Sequence, residues 1–133
     1  IQTVVSSLIR LKSGELSYIT KRIDRTTKGE KIHMLDMFQI TEAFDKYRSS
    51  MEKVGKAVIE HSSHTLLDVL RLYELVIFTY ITGNNDMHLK NFSLILKDEN
   101  WGFAPAYDLL NAQLHLSEDK EETALTIGGK KVA

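Results

Sequence analysis

The stretch from Leu66 to Thr82 limits what this chain can fold into more than any other. It is the most apolar run in the chain and is far longer than an ordinary strand, so it reads as a helix that must bury a face. Asp68, Arg71 and Glu74 interrupt it. Each is costly in hydrocarbon, so the helix is expected to run through a protein core and not to span a membrane. Gly83 follows at once and reads as its C-terminal cap, because glycine adopts the left-handed backbone that ends a helix.

The segments on either side carry other periods. Val4 to Lys12 and Glu15 to Ile23 are two β-branched runs across Ser13-Gly14, the pattern of an antiparallel hairpin. Asp24 to Glu30 reads as an exposed loop, and Lys31 to Met34 as a short extended piece. Leu35, Phe38 and Ala43 then fall at helical spacing, followed by Met51, Val54, Val58 and Ile59 behind the capping pair Ser49-Ser50. Phe38, Phe44, Tyr73 and Phe78 are expected to fill the core between the helical stretches. Beyond Gly83, Phe92 to Leu96 and Trp101 to Pro105 flank the polar turn Lys97 to Asn100, a second hairpin. A short helix or turn over Leu109 to Leu114, an acidic loop over Ser117 to Glu122 and a last strand over Ala124 to Ile127 complete the reading. Hairpin, helices and hairpin in succession indicate an α+β domain with segregated parts.

The 133 residues have the length of one domain, and 43% hydrophobic content supplies an ordinary core. Seventeen basic against eighteen acidic side chains leave a net charge of -1, so no global field favours nucleic acid or an anionic membrane. The lack of cysteine excludes disulfides and thiolate metal sites and sits most easily with a cytoplasmic location. Ile1-Gln2-Thr3 lacks the flank and cleavage site of a signal peptide. A first residue other than Met, and an uncapped ending at Val132-Ala133, read as a trimmed longer chain.

The chemistry gathers at Gly83-Asn84-Asn85-Asp86-Met87-His88-Leu89-Lys90-Asn91 and at Tyr107-Asp108. Phosphoryl transfer needs an aspartate near the acceptor hydroxyl, with an amide oxygen and a carboxylate on magnesium. Asp86 and Asn91 have the separation of the protein-kinase catalytic loop, where the aspartate acts as base and the asparagine binds metal. Asp108 lies one hairpin downstream, and a hairpin returns its far end to its near end, which brings Asp108 beside Asn91. Asn and Asp also favour turns for local reasons, so the spacing alone would suit a polar helix cap. The bracing of the loop between a core helix and a strand favours the catalytic reading.

The string from Gly83 to Ser93, followed by Pro105-Ala106-Tyr107-Asp108, resembles the C-terminal domain of the HipA toxin kinases, whose pattern reads roughly G-x-x-D-x-H-x-K-N-F-S and then P-x-Y-D. Lys21-Arg22-Ile23-Asp24-Arg25 resembles that family's R-F-D-R segment, and Ala124 to Lys130 its later G-K-bearing strand, so the resemblance covers roughly Leu16 to Lys130. It implies a kinase-like C-terminal lobe, mainly helical, with a hinge hairpin and a catalytic-loop hairpin. It further implies ATP and magnesium as cofactors, with Asp86 as the catalytic aspartate and Asn91 and Asp108 as metal ligands. His88 would lie near the phosphates or brace the loop, and Lys90 would order the loop or a phosphate. Lys21 to Ile23, with Asp24, would form the hinge that receives the nucleotide. The implied partners are a HipB-type helix-turn-helix antitoxin and a protein substrate such as an aminoacyl-tRNA synthetase, with no direct nucleic-acid contact and no membrane.

The loop and lysine with which such kinases hold the ATP phosphates have no counterpart here. Residues 1–133 are therefore expected to be a partial domain lacking the N-terminal lobe and the final helices, and inactive alone. Asp86-Met87-His88 is also similar to the D-R-H run of phosphoinositide kinases. A lipid or small-molecule kinase is thus an alternative that a substrate screen would separate. A non-catalytic kinase-fold binding module is another, marked by absence of magnesium-dependent ATP binding. His33, His61, His64 and His115, and the pair Lys130-Lys131, read as surface or packing residues.

Overall fold

The computed structural model describes residues 1–112 and 123–131, and the expected acidic loop, His115 and the last two residues of the Leu109 to Leu114 piece lie outside them. Strands β1 (Ser6–Arg10) and β2 (Leu16–Thr20) form the first hairpin, with Ser6 opposite Thr20 and Arg10 opposite Leu16. Strands β3 (Met34–Asp36), β4 (Ser93–Lys97) and β5 (Asn100–Phe103) form a separate antiparallel sheet in the order β3-β4-β5. Between them lie α1 (Met37–Ile40), α2 (Met51–His61) and α3 (Thr65–Ile81). Both expected hairpins are present, and the fold is α+β, with five strands among the described residues.

Local chemistry sets these boundaries. Ser50 caps α2 by accepting from the Lys53 N–H, as expected from Ser49-Ser50. The β4–β5 turn is Asp98-Glu99, both left-handed at φ 47° and 63°, which suits the twist of a tight hairpin. At the end of α3, Gly83 takes φ 68° and donates to the Tyr80 carbonyl while Asn84 donates to that of Thr79. This paired closure ends the helix as the sequence anticipates and launches the next loop in a fixed direction.

Three expectations are corrected. The first short helix holds only Met37–Ile40, because Leu35 is taken into β3 and Glu42 turns left-handed at φ 49°. Ala124 to Ile127 is not a strand: Thr126 and Ile127 make single bridges to Ser50 and Lys130, while Leu125 is fully buried. Of the four expected core aromatics, Phe38 packs partly against the core, but Phe44, Tyr73 and Phe78 are exposed. Phe44 lies in the irregular segment between α1 and α2; for Tyr73 and Phe78 the physical reason is that α3 buries one face, through Asp68, Leu72, Leu75 and Thr79, and leaves Leu66, Leu70, Tyr73, Ile77, Phe78 and Ile81 open. Among the described residues no helix is long and apolar enough to cross a membrane.

Met37, Val54, Val58, Leu75, Met87, Leu89, Phe92, Leu94 and Leu125 make one core between α2, α3 and the β3-β4-β5 sheet. Its polar pin is Asp68. The carboxylate is fully buried, accepts from Ser62 Oγ at 2.6 Å and the Phe103 N–H at 2.9 Å, and pairs with Arg71 at 3.1 Å. Such burial is tolerable only because the oxygens are bonded. Asp68→Ala should lower stability in urea unfolding by about 3 kcal/mol, since it orphans the buried Phe103 N–H and the Ser62 hydroxyl. Arg71→Ala, at a partly exposed partner, should cost about 1 kcal/mol or less.

Candidate active site

The loop that leaves Gly83 is buried for a connecting segment: Asn84, Met87, His88, Leu89 and Asn91 are all enclosed. It closes in a single 3-10 turn, Leu89–Asn91, before β4 begins. Asn91 organises this turn. Its N–H donates to the His88 carbonyl at 2.9 Å, and its Oδ1 accepts from the His88 N–H at 3.0 Å. Its Nδ2 donates across the hairpin to Asp108 Oδ2 at 2.9 Å. The hairpin therefore returns Asp108 to Asn91, as the spacing requires.

Asp108 is exposed and holds φ 55°, a left-handed conformation that aspartate tolerates better than most side chains. Its neighbour Tyr107 fixes the return. The Tyr107 hydroxyl donates to the Lys90 carbonyl at 2.7 Å and accepts from Ser93 Oγ at 2.5 Å. Burial pushes its pKa up to about 12, so it stays a donor throughout the physiological range.

Magnesium prefers a shell of hard oxygens and is usually held by one or two protein groups, with water and phosphate supplying the others. Asn91 and Asp108 supply one amide oxygen and one carboxylate and touch each other, but here the Asn91 Nδ2 faces Asp108 while Oδ1 is turned to the His88 N–H, so a shared ion would displace the Asn91–Asp108 hydrogen bond. Among the described residues no group of three or more His, Cys, Asp or Glu gathers as a protein-only cage.

Asp86 is half-buried, and its Oδ1 accepts from the Tyr47 hydroxyl at 2.9 Å. His88 is enclosed. Lys46 Nζ donates to its Nε2 at 2.9 Å, Tyr47 packs edge-on against the ring at 5.1 Å, and Nδ1 has no hydrogen-bond partner among the described residues. Burial and then the Lys46 charge lower its pKa, so the ring is neutral with its proton on Nδ1. Lys90 Nζ lies 4.7 Å from the centre of the Phe38 ring. Lys46 and Tyr47, which the sequence reading passed over, thus contact the loop directly, and the Lys46 carbonyl also accepts from the Leu89 N–H at 3.1 Å. Nothing in their local pattern marked them, since they lie in an irregular segment about forty positions upstream of their partners.

The hinge segment lines a cleft of about 370 Å³. Its lining includes Lys21, Ile23 and Asp24 together with Asp36, Gln39, Ser93 and Tyr107, the last next in sequence to Asp108. Asp86, His88, Lys90, Asn91 and Asp108 are not among its lining residues. The hinge reaches this position because the Val4 N–H donates to the Ala106 carbonyl at 2.9 Å and the Ala106 N–H to that of Gln2 at 2.8 Å. Asp24 is tied by Arg22 at 2.8 and 2.5 Å and by Arg25 at 2.6 Å. Of the remaining histidines, His33 sits edge-on to Trp101 at 5.2 Å, His61 ends α2 and His64 caps α3 through its backbone. Lys130 is exposed after the Gly128-Gly129 turn, in which both glycines have positive φ.

Residues 1–133 match, over their whole length, the family described as the HipA-like C-terminal domain. The chain belongs to this family. This HipA-like domain is similar to a protein of Sinorhizobium fredii named "Putative kinase Y4mE", 44% identical over 112 residues, which cover 77% of the chain and 27% of the relative. A second Sinorhizobium fredii protein, "Putative kinase Y4dM", is 34% identical over 121 residues, 80% of the chain and 29% of the relative. A "Putative kinase" of Haemophilus influenzae is 28% identical over 107 residues, 73% of the chain and 31% of the relative. The HipA-like domain therefore spans about three-tenths of the length of the curated relatives it matches. Its fold is similar to part of HipA from Shewanella oneidensis, solved in complex with HipB and operator DNA. The TM-score is 0.81 at 17% identity, over 96% of this chain and 34% of that one.

The Arg22 hydrogen bonds, with the charges of Arg22 and Arg25 adding to them, hold the Asp24 carboxyl at about 2 against an ordinary 3.8. A carboxyl depressed on folding contributes stability that is present above the unfolded value and is lost as pH falls through the folded one. In urea unfolding, wild type should therefore exceed Asp24→Asn at pH 7, and the gap should close between pH 3.8 and about 2.

Proposed function

We propose that this chain carries the base and metal half of an ATP- and magnesium-dependent protein serine/threonine kinase, the toxin of a toxin–antitoxin pair. The observation that supports it most is the meeting of Asp86, Asn91 and Asp108 around one hydrogen-bonded loop, beside a cleft that the hinge residues line. In this reading the backbone of Lys21 to Ile23, with Asp24 beside it, receives the nucleotide base end. Asn91 Oδ1 and the Asp108 carboxylate hold magnesium, which would neutralise charge on the phosphates. Asp86 takes the proton of the acceptor hydroxyl, at the position the Tyr47 hydroxyl occupies here. His88 braces the loop from within.

The Shewanella relative's complex with HipB and operator DNA supports a HipB-type antitoxin as partner of the whole protein. A protein acceptor such as an aminoacyl-tRNA synthetase rests on the family resemblance. The cytoplasm is the proposed location. The phosphate-gripping loop and lysine of such kinases have no counterpart in residues 1–133, so this chain by itself is proposed to turn over ATP poorly or not at all.

With the full-length protein, Asp86→Asn should lower ADP release from MgATP by roughly 10²–10⁴-fold, the usual contribution of a general base. It should leave magnesium-dependent nucleotide binding in calorimetry intact. Asn91→Ala and Asp108→Ala should abolish that magnesium dependence. Wild-type turnover in Asp86→Asn, or nucleotide affinity indifferent to magnesium, would sink the reading.

A further inference from the structure

Transfer of a phosphoryl group leaves negative charge spread over three oxygens, and a site of this kind stabilises it with fixed positive groups. Two nearby residues, His88 and Lys90, could supply that charge by sequence position. The geometry uses both otherwise. His88 Nε2 is an acceptor, filled by Lys46 Nζ at 2.9 Å, and a ring that accepts there brings no positive charge of its own. Lys90 Nζ is committed to the face of Phe38 at 4.7 Å.

The positive charge at the loop is instead that of Lys46. Three contacts hold it. Its carbonyl accepts from the Leu89 N–H at 3.1 Å, its ammonium donates to His88, and the same ammonium lies 4.8 Å from the centre of the Tyr47 ring. That ring delivers its hydroxyl to Asp86 Oδ1 at 2.9 Å, so one tyrosine links the Lys46 ammonium to the proposed base. Asp45, the neighbouring carboxylate, pairs with Arg48 at 3.6 Å. A lysine spending its charge on a buried neutral histidine, with no ion pair to a carboxylate among the described residues, is poorly compensated as a structural element.

We propose that Lys46, presented by His88, is the cationic residue that meets the transferring phosphoryl group beside Asp86. The inference rests on the kinase reading above. In the step, the acceptor oxygen bonds to the γ-phosphorus, the bond to the bridging oxygen of ADP breaks, and the acceptor's proton passes to Asp86. Lys46 keeps its proton throughout and lends only charge. It is released from His88 toward the phosphate by rotation of its flexible side chain.

The test uses the full-length protein with MgATP, read as ADP release, and with MgADP alone or MgADP plus aluminium fluoride, read by calorimetry. Lys46→Met should lower kcat by about 10²-fold, the scale of losing one stabilising group at the developing charge. Its affinity for MgADP should stay within about threefold, while the extra affinity conferred by aluminium fluoride, which mimics the transferring group, should be lost. Lys46→Arg should recover at least about a tenth of the activity, and Lys56→Met, at an exposed lysine of α2, should remain within about threefold of wild type. A merely bracing lysine would lower MgADP and aluminium-fluoride affinity together. That result, or near-normal kcat in Lys46→Met beside an inactive Asp86→Asn, would overturn the assignment of Lys46 alone. An active Asp86→Asn, or no turnover in the unaltered protein, would overturn the kinase reading and this inference with it.

Discussion

The buried carboxylate of Asp68 is the interaction on which the arrangement of the site depends. It stands one turn into α3 and is bonded at once to the junction with α2, through Ser62, and to the backbone of β5, through Phe103. A helix and a hairpin that meet only through apolar contacts are free to slide, because dispersion and hydrophobic burial have little directional preference. Hydrogen bonds to a charged, desolvated acceptor are directional and costly to break. Asp68 therefore fixes the hairpin against the helix. Since the loop of Asp86 and Asn91 hangs between the end of that helix and the start of that hairpin, it fixes the loop at both ends.

Within this frame Asn91 serves two geometries with one amide. Its oxygen closes the 3-10 turn on the His88 N–H, and its nitrogen reaches Asp108. An amide oxygen has two lone pairs, so the bond that orients the side chain leaves capacity for a cation. Tyr107 works one residue away, tying the return strand to the Lys90 carbonyl. The strained backbone of Asp108 is thus supported from both sides, and strain at such a position persists only where the surroundings over-determine it.

Much of this was legible in the sequence where the determinants are local. The two hairpins, the Ser50 cap, the Gly83 terminus and the return of Asp108 to Asn91 each follow from a few neighbouring residues whose geometry is nearly forced. What was not legible depends on distant partners. Asp68 reads along the chain as an interruption of an apolar helix, and only the approach of β5 turns it into an anchor. Because α3 carries apolar residues almost all round, its pattern does not say which face is covered. Tyr73 and Phe78 were therefore placed inside when they face out. Lys46 and Tyr47 sit in a segment without periodicity and acquire meaning only when it crosses the loop.

The closure of α3 at Gly83 has a consequence for how the loop should behave in heavy water. Asn84 donates to Thr79, His88 to Asp86 and Asn91, Leu89 to Lys46, and Asn91 back to His88, so most described amides of a connecting segment are bonded and several are enclosed. Exchange at such positions requires the surrounding core to open, not the loop alone to fray. The segment would then exchange its protons with the slowness of the helix that precedes it, and mobility near the site would belong to the exposed hairpin β1–β2.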